Sequence, residues 1–208
     1  MKPAPSPAPA RRPSRGGRDL LDESDWVRAA VRAMLRGSVA DVKIDRLARQ
    51  LKVTRGSFYW HFKDRDALLA AVLKHWELTT VRFNEVLARH DPDPRQRLLR
   101  LLLLTEDAEA LVPPGEFDSA IRAWARRSPL ARQATERVDA LRIATITRLI
   151  LDLGAAPERA PVLTLILSAI TGMLWGRRSL SSKERHDVIA EFYPMLLANI
   201  ERQAAPRK

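Results

Sequence analysis

The sequence predicts an all-α fold of about nine helices, and three observations carry that expectation. Apolar residues recur at i, i+3, i+4 and i+7 in one segment after another, the spacing of a helix face. Ser, Thr, Asp, Pro and Gly fall at the edges of those segments, where helices start and stop. No segment shows sustained strand alternation or a hairpin turn signal. At 208 residues the chain has room for a sizeable core and for one or two domains.

Residues 1–18 hold five Pro, five Lys or Arg and no acid. With no apolar stretch, they are neither a secretory signal nor a membrane anchor, and a cytoplasmic protein is expected. Low hydrophobicity and high charge predict a disordered, basic, Pro-rich arm over 1–21. Arg11, Arg12, Arg15 and Arg18 suit phosphates or a minor groove; the bland alternative is a solvated tail. Asp22 or Ser24 then caps a helix over about 25–36, which Gly37 stops. Its buried side is Trp26, Val27, Ala30, Val31, Met34 and Leu35, and it is expected to brace the two short helices after it.

Ile44, Leu47, Ala48 and Leu51 share one helix face, and Lys43, Arg46, Arg49 and Gln50 the other. The turn Lys52-Val53-Thr54 leads to a short helix over about 55–62 with Thr54 as N-cap. Val53 and Phe58 then stand at the spacing of a hydrophobic staple. Phe58 and Phe62, one turn apart, form a narrow buried stripe. Gly56, Ser57, Tyr59 and Trp60 point away from it, which makes sense if the outer face meets something large and polar. Two short helices, a tight turn and an outward second helix flanked by bases read as a helix-turn-helix. Asp64 caps a third helix opening at Arg65.

The run VTRGSFYWHFKDRDALL resembles the DNA-binding signature of the tetracycline-repressor (TetR) family, and the match covers roughly residues 24–72. The family usually has Gly in the turn where this chain has Lys52. A left-handed backbone at Lys52 costs about 1 kcal/mol relative to Gly. The DNA-facing set expected is Lys43, Thr54, Arg55, Gly56, Ser57, Tyr59, Trp60, His61, Lys63 and Arg65. Arg55 has the fork that binds guanine O6 and N7, and Gly56 beside it lets backbone and base edges come close. Tyr59, His61, Lys63 and Arg65 match family positions that grip phosphates, with Thr54 assisting. Trp60 packs on sugar or a thymine methyl, or else is partly buried against the third helix.

The remaining elements follow from spacing and punctuation. The helix from about 65 keeps apolar spacing for six turns, through Leu69, Val72, Leu73, Trp76, Phe83, Val86 and Leu87, to the loop His90–Pro94. A Leu-rich helix spans 95–110, Pro113-Pro114-Gly115 breaks the chain, and a helix covers about 117–126. Ser128 caps a helix with Pro129 at its favoured first position, running to Gly154. Pro157 and Pro161 open a helix with the apolar run 162–175, too short for a bilayer, which needs about 20 residues. Ser181 and Glu184 form a capping box for a last helix to about 203, which Pro194 is expected to kink. Domain boundaries are expected at 22–66 for the helix-turn-helix and 67–203 for a helical effector-binding and dimerisation domain, with a tail at 204–208.

Composition bounds the chemistry. The chain has no cysteine, so it has no disulfide or thiolate site. His61, His75, His90 and His186 are scattered, with no metal spacing, and there is no Gly-rich phosphate loop; no catalytic residue, metal or cofactor is assigned. The net charge is +11, and residues 1–66 carry +7 of it. With the motif, that excess favours double-stranded DNA over a merely solubilising surface.

The resemblance implies a homodimer on a palindromic operator. Leu163, Ile166, Leu167, Ile170, Met173 and Leu174 cover more than one helix face and suit its interface. It also implies a small, mostly apolar effector held among helices from about 65 to 178, with Trp76, Phe83, Phe117 and Trp124 as lining. The alternative for each is a plain core position. The expected function is a sequence-specific, ligand-released transcription regulator, a repressor rather than an enzyme. The competing readings are a low-specificity DNA-coating protein and a helical small-molecule binder or enzyme with a degenerate head.

Overall fold

The structure is a computed structural model that describes residues 21–90, 92–103, 114–176 and 180–204. Among these the chain is helical without strands, in nine α-helices. They are α1 Glu23–Arg36, α2 Ile44–Leu51, α3 Arg55–Tyr59, α4 Arg65–His90 and α5 Pro94–Leu103. There follow α6 Pro114–Ala125, α7 Pro129–Asp152, α8 Ala160–Gly176 and α9 Ser182–Ala204. The expected arm, the stretch 104–110 of the Leu-rich helix and most of the tail lie outside the described residues.

Side-chain caps set most starts. Asp22, not Ser24, caps α1: it accepts from the Asp25 N–H at 3.0 Å, and Asp25 returns the bond at 2.9 Å. Asp64 accepts from the Ala67 N–H at 2.8 Å and starts α4. Ser128 caps α7 with Pro129 in the first turn. Ser181 and Glu184 close the box before α9 (Ser181 N–H to Glu184 2.7 Å, Glu184 N–H to Ser181 3.2 Å). One expectation needs correction. Pro114 and Gly115 stand in the first turn of α6 rather than in a break, because a first turn needs no Pro N–H. A 3-10 turn, Val39–Asp41, sits between α1 and α2. Gly37 precedes it because a Cβ there would strike the Asp41 carboxylate. The Ser38 N–H (3.1 Å) and Arg46 (3.0 Å) hold that carboxylate in place.

Two apolar cores result. The first joins α1, α2, α3 and α4 to α6 and the start of α7, so it does not stop at residue 66. Trp26 is fully buried at its centre, edge-on to Phe58 with ring centroids 5.2 Å apart, and Phe58 stacks on Phe62 at 5.6 Å. The second joins α5, the end of α7, α8 and α9. Helix α7 passes through both: Ala131, Ala134 and Val138 belong to the first, Ile146, Leu149 and Ile150 to the second. Where it crosses over, Arg122 of α6 binds Asp118 (2.7 Å) and Asp139 (2.9 Å), and Arg142 binds Asp118 (2.7 Å). The Arg142 guanidinium also lies over the Trp76 ring, 5.7 Å from its centre. The second core is fastened by Arg97 to Asp152 (3.0 Å) and by Thr147 to the buried Thr164 (3.0 Å).

Candidate nucleic-acid interface

The site begins with the turn that aims α3. Helix α2 ends in a Schellman motif: the Val53 N–H reaches the Ala48 carbonyl (3.0 Å) and the Lys52 N–H the Arg49 carbonyl (3.2 Å). Lys52 takes the left-handed conformation that this motif requires, at φ 59° and ψ 38°. The family resemblance pointed to this position, where Gly is usual, and a non-Gly residue there costs about 1 kcal/mol. The motif fixes the angle at which the chain leaves α2.

Helix α3 is shorter than the 55–62 expected. It spans five residues, and Trp60 caps it with a right-handed backbone. Thr54 does stand at the N-cap, but its side chain makes no capping bond and stays exposed. So short a helix is held by packing, not by propensity. Its inner anchor is Phe58, wholly buried against Trp26.

The outer face is open. Trp60 is 89% exposed, which removes the alternative of burial against α4. Tyr59 is 49% exposed, and Arg55, Gly56, Lys43 and Lys63 are exposed too. Ser57 and His61 are half-buried. At Gly56 an added Cβ would meet only the Thr54 hydroxyl, at an ordinary 3.6 Å, so packing does not demand glycine there. Arg55 is gripped from two sides. It donates to the Tyr59 hydroxyl (3.2 Å) and stands 5.9 Å from the centre of that ring. Asp45 of α2 pairs with it at 3.5 Å. The Tyr59 hydrogen bond, with the Asp45 charge behind it, raises the Arg55 pKa above its ordinary value.

Arg65 departs from expectation. It faces inward, its Nε on the Val42 carbonyl (2.7 Å) and one terminal nitrogen on the Val39 carbonyl (2.6 Å). The start of α4 is thereby strapped to the turn before α2. The family resemblance gave Arg65 to phosphate, and nothing in the spacing shows which way its long side chain turns. Asp45 was missed. It is the one acid among five bases in residues 43–55, and only the fold brings it to Arg55.

Residues 27–72, which include this whole unit, match the family model described as bacterial regulatory proteins, tetR family. That match covers about a fifth of the chain, the segment from α1 into the start of α4. Among its curated relatives, the transcriptional regulator SrpR of Pseudomonas putida is 42% identical over 45 residues, 22% of this chain and 21% of that protein. AcrR of Shigella flexneri is 31% identical over 78 residues, 36% of this chain and 35% of that protein. The chain thus matches only about a fifth to a third of the length of these relatives.

Solved structures extend the likeness in fold. A transcriptional regulator from Rhodococcus sp. Rha1 aligns over 86% of this chain and 97% of its own, with a TM-score of 0.70 and 16% identity. A candidate regulator from Saccharomonospora viridis, in complex with choline, aligns over 83% and 95%, with a TM-score of 0.70 and 20% identity. NalD, the secondary repressor of the MexAB-OprM multidrug efflux pump in Pseudomonas aeruginosa, aligns over 85% and 93%, with a TM-score of 0.53 and 20% identity.

The expected interface set divides. Leu163, Leu167 and Leu174 are buried in the subunit's own second core, and Ile170 is half-buried against it. Those three are corrected to core positions. Ile166 (45% exposed) and Met173 (59%) do face outward, and Val162 and Leu165 of α8, with Val188 and Met195 of α9, are exposed large apolar residues too. A run that is apolar all round gives no sequence clue to which stripe faces in.

The expected effector-lining residues also stand in core positions. Trp76 and Phe117 are buried in the first core, and Trp124 packs partly against it. The side chain of Phe83 lies outside the described residues. A described open groove of about 460 Å³ lies elsewhere, on α9 between Asp187, Val188, Glu191, Phe192 and Met195. Among the described residues no group of His, Asp or Glu is placed to hold a metal, and no helix is long and apolar enough to cross a membrane.

Proposed function

We propose that this chain is a cytoplasmic, homodimeric transcription regulator that reads double-stranded DNA with α3, and that it acts as a repressor. The observation that carries this reading is the contrast across α3. Phe58 is fully buried while Trp60, two residues on, is 89% exposed beside exposed Arg55, Gly56 and Tyr59. A surface that offers a guanidinium fork, a bare backbone and two aromatic rings suits base edges and sugars. Exposed Lys43 and Lys63 suit the flanking phosphates.

One five-residue helix touches few bases, so two copies related by a twofold axis supply the specificity. Their operator is palindromic, with half-sites about one helical turn apart or a multiple of it. The exposed stripe Val162, Leu165, Ile166 and Met173, with Val188 and Met195, supports a four-helix interface between two copies. Release by a small, mostly apolar effector is the regulatory part of the reading. Helix α6 carries Phe117 and packs on α1 of the head, so a ligand that shifts α6 strains the head directly. Genomic footprinting of the native protein tests the proposal. A few sites with twofold symmetry are expected; uniform coverage of the chromosome would point instead to a DNA-coating protein.

A further inference from the structure

Residues 43–55, the stretch that carries α2 into α3, hold five bases and a single acid, Asp45. An acid on such a face opposes phosphate binding, so its presence calls for a reason. One reason is local, since an acid suits the first turn of α2. The geometry adds another. Arg46 leans away to Asp41 (3.0 Å), and Arg49 donates to the Asp45 backbone carbonyl (3.3 Å) rather than to its carboxylate. The carboxylate instead reaches across to Arg55 at 3.5 Å, on a different helix. Tyr59 holds the same guanidinium at 3.2 Å. An arginine with long free rotors bonds any phosphate within reach. One held by a carboxylate and a phenol has fewer poses, and an approaching phosphate meets the repulsion of Asp45. Guanine O6 and N7 carry no net charge and escape most of that penalty.

Building on the DNA-reading function above, we propose that Asp45 is a specificity-determining positioning residue: it holds Arg55 for a base edge and withholds it from phosphates. The test is selection of bound duplexes from a randomised pool by the full-length wild type, D45N, D45E, R55A and the double variant R55A/D45N. Affinity for an unrelated duplex is measured for each at several salt concentrations. The wild type is expected to enrich a motif, and R55A to lose the preference at one base position of it. D45N is expected to weaken the preference at that same position by about fivefold or more, the low end of one base contact. It should also bind the unrelated duplex more tightly, with a salt slope steeper by about one unit. D45E should keep most of the preference, and D45N should change no base preference in the R55A background. The Asp45–Arg55 pair is exposed, so D45N should melt close to the wild type.

The proposal is overturned if D45N enriches the wild-type motif with undiminished preference at the Arg55 position. It is also overturned if D45N weakens every position alike, which marks a structural role. A wild type that enriches no motif would instead overturn site-specific reading itself, and the inference with it.

Discussion

Replacing Arg65 with Ala separates two roles that the sequence could not tell apart. In the structure Arg65 makes two short charge-assisted bonds, to the carbonyls of Val42 and Val39, tying α4 to the turn before α2. Hydrogen bonds to a charged group contribute about 1.5–3 kcal/mol each. The side chain is only part-buried, and water can replace part of what is lost. A total loss of about 2–3 kcal/mol is therefore expected, near the low end for two such bonds. For a chain of this size that corresponds to a melting temperature lower by roughly 4–12 °C. Lys63→Ala serves as the comparison, because Lys63 is exposed and borders the same helix. Lys63→Ala should melt like the wild type and lower the salt slope of DNA binding by about one unit. Urea and thermal unfolding give the first quantity, and DNA titration at several salt concentrations the second. If Arg65→Ala melts like the wild type and lowers the salt slope as Lys63→Ala does, Arg65 is a phosphate ligand and its place as a strap is refuted.

Gly56→Ala should fold at least as well as the wild type, with a gain of up to about 1 kcal/mol, because the new Cβ has room. It should nonetheless weaken binding to the selected site about tenfold or more, the loss expected when one base contact is blocked; unchanged affinity would show that no DNA group approaches Gly56. Lys52→Gly relieves a left-handed backbone and should raise the urea midpoint by an amount worth about 0.5–1 kcal/mol; a lower midpoint would contradict that strain. Phe58→Ala removes a fully buried ring from the head and should cost about 3–5 kcal/mol by urea unfolding; a loss near zero would mean that α3 is not held by this ring. Ile166→Asp with Met173→Asp should sediment as a folded monomer, whereas Leu167→Asp, wholly buried in its own subunit, should lose helicity by circular dichroism; a doubly substituted protein that still sediments as a dimer would place the interface elsewhere.

What was legible in the sequence shares one property: it is decided within a few residues. Asp64, Ser128 with Pro129, and the Ser181–Glu184 box announce helix starts because their partners lie three residues away. The left-handed Lys52 came from the resemblance to a family whose members usually carry Gly in that turn, and not from the local pattern of this chain. The features that escaped depend on contacts between distant segments. Arg65 finds its carbonyls 23 and 26 residues away, and Asp45 meets Arg55 only after α2 and α3 are set at an angle. Helix α8 is apolar on every side, so only the packed fold shows that Leu167 faces in and Ile166 out. The 3-10 turn at Val39–Asp41 is too short to have a periodicity of its own.

The central claim, that α3 reads sequence, is tested most directly by titrating the native protein on two duplexes at physiological salt. One carries a site recovered by selection or footprinting; the other has the same bases in shuffled order. The expected result is two chains per duplex on the first, and an affinity at least about a thousandfold above that for the second. Equal affinity for both duplexes at every salt concentration would contradict it, leaving a protein that grips phosphates and reads nothing.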